Sequence, residues 1–533
     1  MSGLVARIIE PKFRLEESRK PFSNHDIQKM IVPLLLEQLL VMLVGVADTF
    51  MVSFAGDAAV SGVSLVNMFN TVFIYLFTAL AAGGAVIVSQ YIGSRNNDLA
   101  DTASGQLLMI STVISVFFLV ICLIWKEQML RLMFGRVEAD VMDACVLYIQ
   151  ISAYSFPALA VYNAGAALCR SMGKTSITMY ISVVSNVINI VGNAIGIFVL
   201  HAGVAGVAYP SLISRVFSAI IITAVCFSAK HSVKYRIQDI LRWDSGMLRK
   251  ILNVAVPNGV ENGVFQLIKV ALSSITALFG TVQIAANGVA QSFWSLAALA
   301  GVAMGPAFIT VVGQCAGAGD MEAADYYFKK LTRITLMTSV AWNGLILVLT
   351  PGCLLFFALS EEAKQLTILL VLIHNICNGV LFPYSGAMPN GLRAAGDVRF
   401  TMIVSLLSTV FCRLLLSVVM GIWWSWGVVG VTIAMCCDWG LRLILYVKYT
   451  VTPTLGGHQK NNPKLIYSID FDVTPHQLRH TYITNLLYAG VDPKTVQYLA
   501  GHENSKTTMD IYAQVKYNKP EELVSVVNAA FRQ

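Results

Sequence analysis

Charge is what this sequence has least of. Asp, Glu, Lys and Arg make up 13% of its 533 residues, while hydrophobic residues reach 56%. Soluble proteins carry roughly a quarter charged residues. A soluble globule of this length could not clothe its surface with so few charges. Disorder, a collagen repeat and a small disulfide scaffold are excluded on the same grounds. Pairing signals for cysteine are missing as well. The ten Cys are scattered, mostly in apolar runs, with no Cys-x-x-Cys motif, and Cys436-Cys437 is a vicinal pair inside an apolar segment. They read as small buried apolar residues in preference to metal or disulfide ligands. No Gly-x-x-x-x-Gly-Lys-Ser/Thr loop occurs, which removes a local ATP motor. No pore-loop or filter signature appears, which argues against a channel. A cleavable signal is not visible either. Residues 1–29 are polar and basic (Arg7, Lys12, Arg14, Arg19, Lys20, Lys29), and the first apolar run is too long for a signal core.

What is there is a series of apolar runs, each able to cross about 30 Å of hydrocarbon. They fall near 28–54, 58–88, 106–125, 144–169, 177–200, 204–228, 249–279, 284–312, 331–358, 365–391, 400–423 and 427–449. The expected fold is an all-α polytopic membrane protein with twelve transmembrane helices. The net charge of +7 is no argument for nucleic-acid binding; its placement matters more. Basic residues sit at the N-terminus, at Arg95, at Arg170 and Lys174, at Lys230 to Lys250, at Lys329 to Arg333, at Arg393 and Arg399, and at Lys448. The alternate loops carry little positive charge, apart from a mixed loop around Lys126, Arg131 and Arg136. The positive-inside rule then puts both termini in the cytoplasm, in agreement with an even number of spans. The division that follows is an N-terminal segment at 1–27, a first lobe at 28–228, a linker at 229–248, a second lobe at 249–450, a linker at 451–464, and a soluble α-helical tail at 465–533.

The membrane part repeats itself at an offset of about 224 residues. Pro33-x-x-x-Glu37 opens span one and Pro257-x-x-x-Glu261 opens span seven. Ser89-Gln90-Tyr91-Ile92-Gly93 aligns with Gly313-Gln314-Cys315-Ala316-Gly317, and Leu168 to Gly173 with Gly391 to Gly396. Thr178-Met179 and Thr401-Met402 follow soon after. Six spans per half place both halves in one orientation, so the repeat is parallel, about an axis along the membrane normal. Two such pseudo-symmetric lobes around a cavity form the architecture of a secondary transporter, driven by an ion gradient.

These residues resemble a known family. The stretch from Pro33 through Val41-Met42-Leu43-Val44-Gly45-Val46-Ala47-Asp48-Thr49-Phe50-Met51-Val52 is similar to the first helix of multidrug and toxic compound extrusion (MATE) transporters. So are the Ser-Gln-Tyr-x-Gly, Arg-x-x-Gly and Asn-Gly-Leu-Arg-x-x-Gly-Asp stretches, and Asn186 to Asn193 in span five. The resemblance covers about 30–450. It implies a twelve-helix, two-lobe antiporter in a bacterial cell membrane. Such a protein exports organic, often cationic drugs or toxic compounds in exchange for H⁺ or Na⁺, acts as a monomer, and needs no other cofactor.

Ionisable residues inside spans are costly and are functional suspects by default. Asp48 comes first. A carboxylate in a low-dielectric cavity favours its neutral form and can exchange a proton near neutral pH, and the same charge can coordinate Na⁺. It also matches the family's first-helix acid, so it is assigned to ion coupling in preference to a structural role. Glu37 and Glu261 lie near the starts of spans one and seven. There the helix dipole would stabilise them, with a gate or ion-path role as the alternative. Where some family members carry an acid one turn deeper in span seven, this sequence has Phe265-Gln266. Lys269, two turns after Glu261, either balances an acid or excludes a cation. Arg413 in span eleven and Asp438 in span twelve are candidates for a structural ion pair, with acid chemistry in the second lobe as the alternative for Asp438. His374 reads as a hydrogen-bonded core histidine before a proton relay. Asn186, Asn189 and Asn193 recur at helical spacing. They are expected to line the first-lobe cavity with Asp48, although intramembrane amides also bind helices together. Abundant Met and Phe, 20 and 26, suit a pocket for flat cations, but packing and lipid contact account for most of them.

The tail carries a different pattern. Thr474-Pro475 caps a helix containing His476 and Arg479, Gly490 closes it, and Gly501-His502 and Tyr512 follow. His-x-x-Arg, Gly-His and Tyr in this order resemble the C-terminal part of phage-integrase-type tyrosine recombinases. The resemblance implies Tyr512 as nucleophile on a phosphodiester, Arg479 on the phosphorane oxygens, and His476 and His502 as proton carriers or hydrogen-bond donors. The family's upstream Arg and Lys, and its arm- and core-binding domains, have no place here, because membrane spans occupy that part of the chain. The tail is therefore expected to be a truncated catalytic fragment, inactive alone, left by a fusion. Two alternatives to drug antiport remain: a lipid-linked precursor or polysaccharide flippase of the same superfamily, and site-specific recombination or weak DNA contact through the tail.

Overall fold

The computed structural model describes residues 9–11, 15–135, 137–355, 357 and 359–451. The residues predicted to form the tail's helices, and the linker before them, lie outside that set.

The described chain is helical throughout. Span one is α1 (Asn24–Val52). It starts four residues before the apolar run because Ser23 and Asp26 cap it reciprocally: Ser23 Oγ accepts from the Asp26 N–H and the Asp26 carboxylate from the Ser23 N–H. The first lobe continues with α2 (Asp57–Gly93), α3 (Asn97–Phe134), α4 (Ala139–Tyr154) and α5 (Phe156–Ser171), α6 (Thr175–Ala194), and α7 (Ala205–Cys226). The second contains α8 (Ser245–Ala277), α9 (Thr281–Ala297), α10 (Leu299–Ala303) and α11 (Gly305–Gly317), α12 (Met321–Leu354), α13 (Glu361–Phe382), α14 (Met388–Ala394), α15 (Val398–Ser408) and α16 (Gly427–Val451).

Ten of the resulting spans are long and apolar enough to cross a membrane. An eleventh is the α4–α5 pair, bent by 43° at Ser155. The twelfth is α8, 33 residues long, in which Arg249, Lys250, Glu261 and Lys269 interrupt the apolar pattern. Twelve helices in two lobes of six is the layout expected from the sequence, and the protein is a multi-pass membrane protein. Its outer face agrees. Phe117, Ile124, Val187, Val348 and Trp423 are among the many large apolar side chains left exposed, far more than a water-facing surface tolerates.

The two lobes meet along α2 and α11. A Cβ on Gly93 would run into the backbone of Gln314, and one on Gly317 into the backbone of Gln90. Only glycine lets the two helices come this close. The crossing is reciprocal. Gln90 Nε2 donates to the Ala394 carbonyl at 2.9 Å, and Gln314 Nε2 to the Ser171 carbonyl at 2.7 Å. Ser171 and Ala394 are themselves repeat partners, so one contact appears twice, once from each half. Thr310 Oγ1 adds a bond to the Arg170 carbonyl at 2.8 Å, and Lys250 Nζ reaches Tyr91 Oη at 3.0 Å. All of this lies at the end of the bundle that carries the basic loops. That end is also strapped by the N-terminal segment. Arg19 binds Asp320 at 2.6 Å, Lys330 binds Glu10 at 2.7 Å, and Tyr327 Oη donates to the Phe22 carbonyl at 2.6 Å.

Gly317→Val should therefore destabilise the fold by about 1–3 kcal/mol, as overpacking typically does, and so lower the midpoint of thermal unfolding in detergent. Gly344→Val, at a helical position with open space around it, should leave the midpoint unchanged. Equal midpoints for both variants would remove the close crossing from the stability of the fold.

Candidate functional site

In the first lobe the sequence-predicted residues converge. Asp48 sits near the end of α1 and Asn193 near the end of α6, and Asn193 Nδ2 donates to Asp48 Oδ1 at 2.6 Å. Asn193 Nδ2 also bonds Asn189 Oδ1 at 3.2 Å, and Asn189 Nδ2 bonds Ser211 Oγ at 3.0 Å. The helical spacing of the asparagines thus builds one polar ladder along α6. A cavity of about 260 Å³ opens beside it, lined by Asp48, Tyr162, Asn186, Asn189, Ser211 and Arg215 among others. Asn186 Nδ2 is buried there without a partner among the described residues. Arg215 is a residue that sequence reasoning missed. It lies within span six, donates from Nη1 to Ser155 Oγ at 2.7 Å, and is within electrostatic range of Asp48. The rule that singles out intramembrane charges applies to it as much as to Lys269.

Glu37 needs a different account from the one its sequence position suggests. The helix begins at Asn24, so Glu37 is more than three turns in and the terminal dipole no longer acts on it. It is held by side chains instead. Its Oε1 accepts from Arg170 Nη2 at 2.7 Å and Tyr162 Oη at 3.3 Å, and its Oε2 from Thr178 Oγ1 at 2.9 Å. Tyr162 therefore touches both the Glu37 pair and the Asp48 cavity. The same correction applies to Glu261, which lies still further from the start of α8 at Ser245. Arg393 Nη2 donates to its Oε2 and Ser405 Oγ to its Oε1, both at 2.6 Å. Arg170 and Arg393 come from the repeated Arg-x-x-Gly motif. The two halves thus use one device, an arginine from the fourth span of each lobe clamping a glutamate on its first.

Lys269 is not the partner of Glu261, since Arg393 and Ser405 occupy that carboxylate. Lys269 is exposed and makes no ion pair or hydrogen bond among the described residues. Arg413 Nε and Asp438 Oδ2 lie 3.3 Å apart, close enough for attraction but without hydrogen-bond alignment. The stronger partner of Asp438 is Arg442, one turn along the same helix, at 2.9 Å; sequence reasoning missed it for the same reason as Arg215. Arg442 also binds Ser405, Ser408 and Thr409. The expectation of a hydrogen-bonded His374 fails. The ring is 1% exposed, and neither nitrogen has a partner among the described residues. His476, Arg479, His502 and Tyr512 of the tail lie outside the described residues.

Comparison with known proteins follows the same division. Residues 33–195 and 257–419 each match the MatE family model, and residues 459–519 match that of the Phage integrase family. An uncharacterized transporter of Bacillus subtilis, YisQ, is 27% identical over 431 residues, covering 78% of this chain and 92% of its own. NorM of Thermotoga maritima, described as a probable multidrug resistance protein, is 26% identical over 80% of this chain and 91% of its own. A solved outward-facing MATE transporter of the MOP superfamily superposes with a TM-score of 0.76 at 20% identity, over 82% of this chain and 96% of that one, a likeness of fold. The tail is 46% identical over 46 residues to the transposase from transposon Tn916 of Enterococcus faecalis, only 11% of that protein's length. A phage-integrase fragment is thus joined to a transporter, and with both halves of its bundle matched, the chain belongs to the MATE family of multidrug efflux transporters.

Proposed function

We propose that the protein is a secondary active antiporter that exports organic, cationic drugs or toxic compounds in exchange for H⁺ or Na⁺. It acts as a monomer in a bacterial cell membrane with both termini in the cytoplasm. The observation that carries this reading is the setting of Asp48. Four acids lie deep in the described spans: Glu37, Asp48, Glu261 and Asp438. Glu37, Glu261 and Asp438 each accept from a contacting guanidinium, whereas Asp48 hydrogen-bonds the neutral Asn193 amide and has Arg215 only at electrostatic range. Protonating or metallating any of the first three would strand a buried cation. Asp48 can change its charge at less cost, and it does so at the wall of a cavity.

The remaining geometry supports the cycle. Under the positive-inside rule the sealed basic end is cytoplasmic, so a lobe cavity loaded in this state exchanges with the outside. Charge change at Asp48 alters the Asn193 bond between α1 and α6, and with it the shape of the cavity. In the tail, Tyr512 and Arg479 stand in the order of a recombinase but without its upstream clamp and acid. The fragment is read as a remnant without activity of its own.

Two outcomes are expected. In proteoliposomes holding separate proton and sodium gradients, the full chain should expel a cationic dye against its gradient with one ion and not the other. Asp48→Asn, eluting as a monodisperse peak, should fall to the protein-free baseline; ion-driven efflux at the wild-type rate would remove Asp48 from coupling. The detergent-solubilised full chain, mixed with a nicked suicide DNA duplex, should give no covalent adduct at Tyr512. An adduct lost in Tyr512→Phe would make the tail an active recombinase.

A further inference from the structure

One buried side chain pins the linker between the lobes to the first lobe. Gln106 of α3 donates from Nε2 to the carbonyls of Asp239 and Arg242, and its Oε1 accepts from the Asp244 N–H at 3.0 Å. Arg236 adds ion pairs to Asp98 and Asp101 at 2.8 and 2.7 Å. Trp243 stands between two of the Gln106 contacts, so its exposed indole is held in place although it belongs to a connecting segment.

The indole walls a groove of about 350 Å³ between the lobes. Ile110 of α3 lines it from the first lobe, and Ser245, Arg249, Leu252 and Asn253 of α8 line it from the second. Arg249 is exposed, and its side chain makes no ion pair or hydrogen bond among the described residues. The same holds for the side chain of Arg242, next to Trp243. The linker acids are engaged elsewhere: Asp244 caps α8 by accepting from the Met247 N–H at 2.9 Å, and Asp239 accepts from Thr102 Oγ1 at 3.3 Å. Deeper in, the walls turn apolar. α3 and α8 both start at the basic end and pack against each other. Val113 and Phe117 continue the Ile110 face of α3, Val256 and Val260 continue the Arg249 and Asn253 face of α8, and all four are exposed. The groove thus has an arginine, a hydroxyl and an amide at its wet end, an indole at the boundary, and apolar tracks leading away. Indoles settle at headgroup level, and basic pockets between spans take anionic headgroups. A headgroup carrying its own quaternary ammonium would bring a third cation to Arg242 and Arg249.

We propose that Arg249, Ser245 and Asn253 bind the phosphodiester of an anionic phospholipid seated in the groove between α3 and α8, with Trp243 against its glycerol backbone. Arg249 takes the phosphate in charge-assisted hydrogen bonds, Ser245 and Asn253 take its remaining oxygens, and the acyl chains follow the two apolar tracks. The lipid is a resident ligand and not a cargo, whatever compound the lobes export. Because each lobe supplies one wall of the groove, the lipid is a further joint between them at the basic end.

The test is tryptophan quenching in the full chain, solubilised in a non-ionic detergent, by phosphatidylglycerol or phosphatidylcholine brominated on the acyl chains. The share due to Trp243 is the difference between each protein and its Trp243→Phe counterpart. Phosphatidylglycerol should quench that share half-maximally at a mole fraction about tenfold below that of phosphatidylcholine, the worth of one charge-assisted contact. Arg249→Gln should abolish the preference and Arg249→Lys should retain most of it. Arg249 is exposed, so neither change disturbs the core. Arg399→Gln removes the same charge from an exposed position on α15, outside the groove, and should leave the preference intact. Equal quenching by the two lipids, or a preference that survives Arg249→Gln, overturns the site. An equal loss in Arg399→Gln also overturns it, because the attraction would then be one of net charge alone. Relief of quenching by inorganic phosphate at the concentration of the lipid overturns it as well, since the groove would then hold a free anion.

Discussion

Hydrocarbon offers a charge nothing to bind, and the whole bundle is arranged around that fact. Between apolar helices in lipid there is no hydrophobic drive toward any one partner, because lipid tails are as apolar as leucine. Polar contacts therefore decide which helix meets which. Glu37 and Arg170 join span one to span four, and Glu261 and Arg393 join span seven to span ten. Arg442 reaches from span twelve to Ser405, Ser408 and Thr409 of span eleven. Breaking such a buried pair by removing one member costs about 3–5 kcal/mol. A helix that slipped by one residue would lose that much at once, so these pairs set register as well as contact.

Against this background an acid with no guanidinium in direct contact stands apart, with Arg215 acting only at electrostatic range. Asp48 is anchored by an asparagine whose own carbonyl oxygen is buried and without a partner among the described residues. The asparagine is in turn steadied by Asn189, and Asn189 by Ser211. The site is thus organised by neutral dipoles that survive a change of charge on the carboxylate. The second lobe repeats the glutamate–arginine clamp but not this arrangement. One turn beyond Glu261 span seven carries Phe265-Gln266, with Lys269 a further turn along and Arg413 over the Phe265 ring. Two lobes built on one plan differ at this depth.

Much of this was legible in the residues. The apolar runs placed twelve helices to within a few residues at most ends, because hydrophobic length is a direct reading of bilayer thickness. The asparagine spacing on span five placed a polar face, since 3.6-residue periodicity fixes which side chains share one. The partners of charged residues were harder. Sequence showed Glu261 and Lys269 two turns apart on one helix and left Lys269 either to balance an acid or to exclude a cation, but the arginine that takes Glu261 comes from three spans later. Glu37 lay near the start of an apolar run and invited a dipole argument; the real helix begins earlier, in polar residues, because Ser23 and Asp26 cap it. Arg215 and Arg442 carried the same signal as Lys269 and were passed over. His374 shows the opposite limit: its burial follows from its apolar neighbours, yet no feature of the sequence announces that both its nitrogens are left without a partner among the described residues.

The repeat also explains why the contacts between the lobes at the basic end come in pairs. A parallel repeat implies a two-fold axis, and any contact across that axis occurs twice. Gln90 reaching Ala394 and Gln314 reaching Ser171 are the two copies of one bond, set on either side of the Gly93–Gly317 crossing. The lobes cannot part at one copy without turning about the other, and at such close backbone approach there is no room for a graded tilt. Packed interfaces of this kind have discrete alternatives and no continuum between them. The short motifs that first revealed the repeat are therefore the parts of the chain that hold the two lobes together on the basic face. Their likeness between halves is a requirement of the geometry, because a reciprocal crossing closes only when both sides present the same small residue and the same donor.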